Sequence, residues 1–306
     1  MSILHSLDEA AFQNAWLTIG VFDGVHRGHQ KILHSLVSEA HETGGPALVL
    51  TFDPHPAVVL GGRSDFKCLT TPMERADLLE SFGVDAVILQ SFSREFADQT
   101  AGQFMHQVVE HTGLRGLVIG YDTALGRGRE GSAARLAEIG DEMGYTVRII
   151  PPLEDEQGII SSTRIRRSIA TGEMASAASE LGRYYAITGP VIHGVGRGHR
   201  LNLPTANIEI PPGKVSPANG IYACWASVGG QQYQAATNVG VRPTFTPDLP
   251  VPIIEAHLLG FNHDLYDQQI NLEFVEYLRP EEKYDSVDAL LEQIQADIAR
   301  TREILG

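Results

Sequence analysis

Cysteine is scarce in this chain: there are two among 306 residues, Cys68 and Cys224. That excludes a disulfide framework and offers no metal-ligand spacing, so both read as core thiols. Basic residues are also few, 23 Lys and Arg against 38 Asp and Glu, for a formal net charge of -15. Such a surface repels polyanions, so no nucleic-acid partner is expected, and small anions are met only where positive groups cluster. One such cluster is Arg164, Arg166 and Arg167. No apolar run approaches the ~18 residues of a membrane span. Met1 to Gln13 carries no basic and apolar signal pattern, so a cytoplasmic protein with no membrane partner is expected. A P-loop is missing too, which removes phosphate binding of the Walker type. What is present is 43 % hydrophobic residues, enough to exclude disorder, in a chain long enough for two domains of ~100–200 residues each.

From Trp16 to Ile150, apolar runs of strand length alternate with stretches of helical period. The runs are Leu17 to Phe22, Ala47 to Phe52, Ala86 to Leu89, Leu117 to Ile119 and Val147 to Ile150. Ile32, Leu33, Leu36, Val37 and Ala40 mark one helical face between them, and Phe104, Val108 and Val109 part of another. This pattern predicts an α/β domain with a Rossmann-like parallel sheet, whose ligand sits beyond the carboxyl ends of the strands. After Arg183, short β-rich runs separated by Gly, Pro and Asn clusters predict a small antiparallel β-barrel. A C-terminal helix follows, capped by Ser286, with Val287, Leu290, Leu291, Ile294 and Ile298 on its apolar face. The domain boundary falls near residues 182–186.

The segment Gly20-Val21-Phe22-Asp23-Gly24-Val25-His26-Arg27-Gly28-His29 closes the first run and opens the first helix. It contains His-x-Gly-His, which this composition yields by chance roughly 0.05 times in a chain of this length. A strand-to-helix turn offers backbone N–H groups and the positive end of a helix dipole to a phosphate chain. Gly28 lets a phosphate approach the backbone, while His26 and His29 supply hydrogen bonds to a phosphorus centre whose charge grows under attack. The alternative is a pair of surface histidines capping a helix. Ser161-Ser162-Thr163-Arg164-Ile165-Arg166 places hydroxyls and the Arg166 fork at another helix start, suited to β- and γ-phosphates. In isolation it reads equally as a helix cap and a solvated basic face.

With Thr51-Phe52-Asp53-Pro54-His55-Pro56 after the second run, these segments resemble the nucleotidylyltransferase superfamily. More narrowly, they resemble the prokaryotic bifunctional riboflavin kinase/FAD synthetase family, over nearly the whole chain. The resemblance implies an α/β nucleotidylyltransferase domain, residues 1–183, that adenylylates FMN to FAD and releases pyrophosphate. It implies a riboflavin kinase barrel, residues 184–306, that makes the FMN. ATP, riboflavin and FMN are then the substrates and Mg2+ the cofactor. By resemblance, His26 and His29 are catalytic; Gly20, Phe22, Asp23, Gly24, Gly28, Ser161, Ser162, Thr163 and Arg166 hold ATP; Asp53, His55 and Asp122 hold flavin. The FMN phosphate, with a second pKa near ~6, is already largely ionised at neutral pH, so this step asks for charge stabilisation more than for a base. The chain departs from the family's Asp-Phe-x-Phe-Gly, reading Asp122-Thr123-Ala124-Leu125-Gly126. Two rings are missing, which motivates an alternative: an active kinase beside an impaired or retargeted adenylyltransferase. A non-catalytic flavin or nucleotide sensor is a third reading.

In the second half, a glycine-rich stretch from Gly194 ends in Pro204-Thr205-Ala206-Asn207, which resembles the riboflavin kinase signature. By resemblance, Gly194 and Gly198 approach ATP, and Thr205 and Asn207 bind Mg2+ and the phosphates through neutral oxygens suited to a hard cation. Asn202-Leu203 stands where the family has Gly-Phe, and asparagine tolerates positive φ. Thr237 to Phe245, Glu255 to Leu259, Asp264 to Tyr266 and Leu278 to Glu281 follow in family order. Glu255 is the expected base, because the kinase nucleophile is a neutral ribityl hydroxyl, and Arg279 is expected on the flavin. As isolated residues, Glu255 reads as a strand-edge glutamate paired with Arg279 or Arg242, and Asn207 as a turn residue. A homo-oligomer is left open.

Overall fold

The structure, a computed structural model, describes residues 2–62, 65–193, 205–242, 251–261, 263 and 265–306. The chain divides into two compact units, Met1–Ser162 and Thr163–Gly306.

In the first unit, β1 (Ser2–Leu4) precedes β2 (Trp16–Ile19), α1 (Arg27–Glu42), β3 (Ala47–Asp53), α2 (Pro56–Gly61) and α3 (Pro72–Glu80). Next come β4 (Ala86–Ser91), α4 (Arg94–Ala97), α5 (Ala101–Thr112) and β5 (Gly116–Gly120). A hairpin of β6 (Ala124–Leu125) and β7 (Gly131–Ser132) leads to α6 (Ala133–Met143), β8 (Thr146–Ile150), and a ribbon of β9 (Glu154–Asp155) and β10 (Gly158–Ile159). The main sheet is parallel throughout, in the order β1-β4-β3-β2-β5-β8.

Its strands are apolar on both sides because alternate residues feed opposite faces. Leu17, Ile19, Leu48, Leu50 and Ile88 pack with Phe104 and Val108 of α5 and Leu136 and Ile139 of α6. Trp16, Val49 and Val87 pack with Leu33 and Leu36 of α1 and Ala76 and Leu79 of α3. Each such side chain contributes about 1.5–3 kcal/mol on burial, so the sheet holds a helical layer on each face. The chain adds β3 and β4 on one side of β2, then β5 and β8 on the other. A crevice therefore opens at the carboxyl end of β2, where the strand order reverses.

The first apolar run differs from its sequence reading: pairing ends at Ile19, and the chain leaves the sheet before Phe22. The short edge strand β1 has no periodic signal and was not anticipated.

The second unit contains α7 (Ser162–Thr171, beginning at the division), α8 (Met174–Leu181), β11 (Tyr185–Ile192), β12 (Ala206–Ile208) and β13 (Gly220–Val228). It continues with β14 (Gln231–Arg242), β15 (Val251–Leu258), β16 (Gln269–Arg279) and the C-terminal helix α9 (Val287–Leu305). The strands close an antiparallel barrel in the order β11-β12-β15-β14-β13-β16. Ile187, Cys224, Ala235, Ile254 and Phe274 are fully buried. Ser286 caps α9, its hydroxyl accepting from Ala289 N at 3.1 Å. By contact, α7 and α8 belong with the barrel: Met174, Ala177 and Leu181 are buried, and Ala218 N donates to Ile169 O at 3.2 Å. The unit division thus lies upstream of the 182–186 reading.

Candidate functional site

The turn between β2 and α1 is strained. Phe22 and Val25 have φ of 51° and 41°, values that cost a non-glycine residue about 1–2 kcal/mol and are least natural for a β-branched one. Such a conformation persists only when its surroundings over-determine it. Here the carbonyls of Val21, Asp23 and Val25 accept from Thr51 Oγ1 (2.9 Å), Ser162 Oγ (2.8 Å) and Gln30 Nε2 (2.9 Å). Asp23 is 1 % exposed. Its carboxylate accepts from Leu69 N at 2.8 Å and Thr70 N at 3.2 Å, while Thr70 Oγ1 accepts from Gly24 N at 3.1 Å. The segment before α3 therefore grips the turn from behind.

The turn delivers two imidazoles. His26 caps α1, its Nδ1 accepting from His29 N at 3.4 Å, so the neutral ring carries its proton on Nε2. The two rings stack with centroids 3.6 Å apart, and Phe22 lies edge-on to His29 at 5.1 Å. A Cβ on Gly28 would stand 3.1 Å from Cε1 and Nδ1 of His26. The missing side chain makes room for an imidazole, a cause beyond the phosphate approach read from the sequence. His29 Nδ1 is buried without a hydrogen-bond partner among the described residues. Burial first, then His26, then the Arg75 cation hold the His29 pKa well below the ordinary 6.5.

A cavity of about 700 Å³ opens beside these residues, with Gly20, Phe22, His29, His55, Asp122 and Leu125 among its walls. Phe52, Phe92, Phe96 and Phe104 add an aromatic wall, with successive centroids at 5.3, 5.6 and 5.3 Å. Sequence reading missed Phe92 and Phe96, for which the four-residue spacing around the Ser93 cap was the available signal. Leu125, where the resemblance leads one to expect a ring, packs on the core cluster of that face. His55 caps α2, accepting from Ala57 N at 3.0 Å, and Asp122 O accepts from Arg129 Nη2 at 3.3 Å. Asp53 is exposed at the end of β3 and is not among the cavity walls.

Of the second motif, Ser161 and Ser162 fall in the first unit, and Thr163 and Arg166 in the second. Arg166 Nη2 donates to Thr163 Oγ1 at 3.2 Å. Arg164 is buried and paired with the buried Glu180 at 2.9 Å, which takes it out of the basic cluster read from the sequence.

On the barrel, cross-strand register assembles a row. Asn207 of β12 stands opposite Glu255 of β15, Glu255 opposite Asn238 of β14, Asn238 opposite Ile221 of β13, and Ile221 opposite Arg279 of β16. Directly opposed residues share a face, so Asn207, Glu255 and Asn238 project side by side. Ile254 and Ala256, which flank Glu255, are fully buried on the other face. Asn207 is 8 % exposed, and its Oδ1 is buried without a hydrogen-bond partner among the described residues. Asn238 Nδ2 donates to Glu281 Oε1 at 2.9 Å.

Arg279 forms a bidentate pair with Asp297 of α9, Nε–Oδ1 2.9 Å and Nη2–Oδ2 2.7 Å, and its Nη1 donates to Pro280 O at 3.0 Å. That guanidinium ties α9 to the barrel and is not paired with Glu255, as one reading had it. Thr205 is half-buried just before β12, and Gly194 and Gly198 lie outside the described residues.

A parallel sheet carrying His-x-Gly-His at its switch point, in one chain with a closed antiparallel barrel, defines a nucleotidylyltransferase joined to a kinase-type barrel. A family model described as FAD synthetase matches residues 8–164, and one described as riboflavin kinase matches residues 181–305. The bifunctional riboflavin kinase/FMN adenylyltransferase of Bacillus subtilis (strain 168) is 33 % identical over 296 residues, covering 96 % of this chain and 93 % of that protein. The protein of the same name from Escherichia coli (strain K12) is 34 % identical over 305 residues, covering 99 % and 96 %. A crystal structure described as a macrolide-efflux protein from Streptococcus pneumoniae superposes with a TM-score of 0.91 at 32 % identity, covering 98 % of each chain. The chain belongs to the bifunctional riboflavin kinase/FMN adenylyltransferase family, and domains of both kinds are present. The impaired and non-catalytic alternatives are not favoured. No helix among the described residues is long and apolar enough to cross a membrane.

Proposed function

We propose that this chain makes FAD in two steps, phosphorylating riboflavin to FMN on the barrel and adenylylating FMN in the α/β domain. The observation that carries the reading is one chain holding both the stacked His26–His29 pair beside a large cavity and the Asn207–Glu255–Asn238 row. We draw the functional domains as residues 1–183 and 184–306 and place the enzyme in the cytoplasm, in keeping with two free cysteines.

In the adenylyl step, an FMN phosphate oxygen bonds to the α-phosphorus of ATP as the bond to the β-phosphate oxygen breaks and pyrophosphate leaves. His26 and His29 donate to the phosphoryl oxygens as charge builds. Gly20, Phe22, Asp23, Gly24 and Gly28 shape the turn that receives the phosphates, Asp23 through its hold on Leu69 and Thr70. Ser161, Ser162, Thr163 and Arg166 supply hydroxyls and a guanidinium for the polyphosphate. The aromatic wall, with His55 and Asp122, receives the isoalloxazine, Phe92 and Phe96 supplying rings that positions 123 and 125 lack. Asp53 stands at the rim.

In the kinase step, Glu255 accepts the proton of the ribityl hydroxyl as that oxygen attacks the γ-phosphorus of ATP. Mg2+ fits the donors present: the unpartnered buried Asn207 Oδ1 and the Thr205 hydroxyl are neutral oxygens of the kind a phosphate-bound hard cation takes. Bound there, the ion would neutralise phosphate charge. Arg279 reaches this site by holding α9 against the barrel.

Chromatography of products from riboflavin, ATP and Mg2+, with a parallel reaction started from FMN, tests the reading. FAD is expected from both, with FMN appearing first in the former. His29→Ala is expected to stop FAD formation while sparing the kinase, and Glu255→Ala the reverse. Two variants that leave both activities unchanged would overturn the assignments.

A further inference from the structure

Arg75 is the largest fully buried side chain among the described residues, 2 % exposed. The fold does not favour it there. It lies in the first turn of α3, where the helix dipole opposes a cation, beside Ala76 and Leu79 of an apolar cluster. An apolar residue of similar volume would fill the space without desolvating a charge. One bond compensates, Nη2 donating to Phe52 O at 2.8 Å, while Nε is buried without a hydrogen-bond partner among the described residues. Of the carboxylates that act on Arg75, Asp23 is the stronger and Asp53 the weaker. Asp23 in turn anchors the histidine turn, and Phe52 O lies at the carboxyl end of β3, just ahead of His55.

We propose that Arg75 is a positioning residue for adenylyl transfer, a buried cation that fixes the end of β3 through the Phe52 carbonyl and holds the histidine turn through its attraction to Asp23. The proposal rests on reading the first unit as the FMN adenylyltransferase.

The same charge also acts on His29. Burial, the stacked His26 and Arg75 all oppose an imidazolium there, so His29 meets ATP as a neutral donor. Around the cavity that His29 lines stand His55, Asp98, Asp122, Arg127 and Arg129, while the carboxylates of Asp23 and Asp53 act on Arg75. A buried cation placed for packing alone has no need of this relation to an imidazole.

The test uses the full chain with Arg75→Met and Arg75→Lys. FAD formation from FMN and ATP is followed with pH, and the His29 imidazole is titrated by NMR without substrates. Arg75→Met is expected to lower kcat at least tenfold, to leave KM for FMN within threefold, and to raise the His29 midpoint. Arg75→Lys keeps the charge and is expected to retain kcat within threefold and the wild-type titration. A kcat loss below threefold in Arg75→Met, an unmoved His29 midpoint, or an Arg75→Lys as slow as Arg75→Met overturns the proposal. Should Arg75→Met fail to fold, Arg75→Lys decides: a wild-type His29 midpoint supports the proposal and a raised one overturns it. An unmutated enzyme that makes no FAD would instead sink the adenylyltransferase reading, while the substrate-free titration still judges Arg75.

Discussion

Replacing Asp23 with alanine removes the acceptor shared by Leu69 N and Thr70 N, both within a buried segment. A buried donor left without a partner costs about 1–3 kcal/mol, so two at the lower half of that range amount to about 3 kcal/mol. The strain at Phe22 and Val25 acts in the same direction, because a released turn relaxes to negative φ. At about 1.4 kcal/mol per decade, the ratio of organised to released turn falls roughly 100-fold, and because strain leaves the organised turn little margin, adenylylation falls by up to that factor. Conversion of FMN to FAD measures it, with conversion of riboflavin to FMN by the same preparation as the control. Asp23→Asn keeps an oxygen for both donors but not the charge that attracts Arg75, and is expected to fall between wild type and Asp23→Ala. The reasoning fails if folded Asp23→Ala makes FAD within threefold of the wild-type rate.

His29 also makes stability depend on pH. Its pKa in the folded state is lowered while the unfolded value stays near 6.5, so as pH falls the unfolded chain binds the proton first. The contribution is complete above about pH 6.5 and is lost below it, with a slope of up to about 1.4 kcal/mol per pH unit. Urea unfolding between pH 5 and 7.5 should show that loss in wild type and a flatter curve in His29→Gln; equal curves would contradict it. Burial pushes the Cys224 thiol up to about 12, which leaves about one thiolate in ten thousand at pH 8. Mass spectrometry after iodoacetamide treatment should find Cys224 modified only in denaturant, and rapid labelling of the native protein would refute it.

The two helical layers of the α/β unit were legible because the signal is local. Leu17 and Ile19 against Trp16, or Leu33, Leu36 and Ala40 along α1, declare their faces by spacing alone. The His-x-Gly-His segment was legible as a strand-to-helix turn that carries two histidines, but not the means that hold it. No spacing rule marks Phe22 and Val25 as left-handed, and the partners of Asp23 arrive from residues 46 and 47 positions away. Arg75 carries the opposite of a signal: in a helix it reads as a solvent-facing cation, and only tertiary packing buries it.

The barrel site shows why a residue type can be legible and its geometry not. Asn207, Asn238 and Glu255 are separated by 17 to 48 positions in the chain, and what makes them neighbours is strand register. A slip of one residue in β15 would turn Glu255 into the barrel and expose Ile254 and Ala256. Both are fully buried, and exposing an isoleucine forfeits about 1.5–3 kcal/mol before the carboxylate's desolvation is added. The apolar alternation that closes the barrel is therefore what places the proposed base beside the two asparagines, so the row is a consequence of core packing on the opposite face of the same strand.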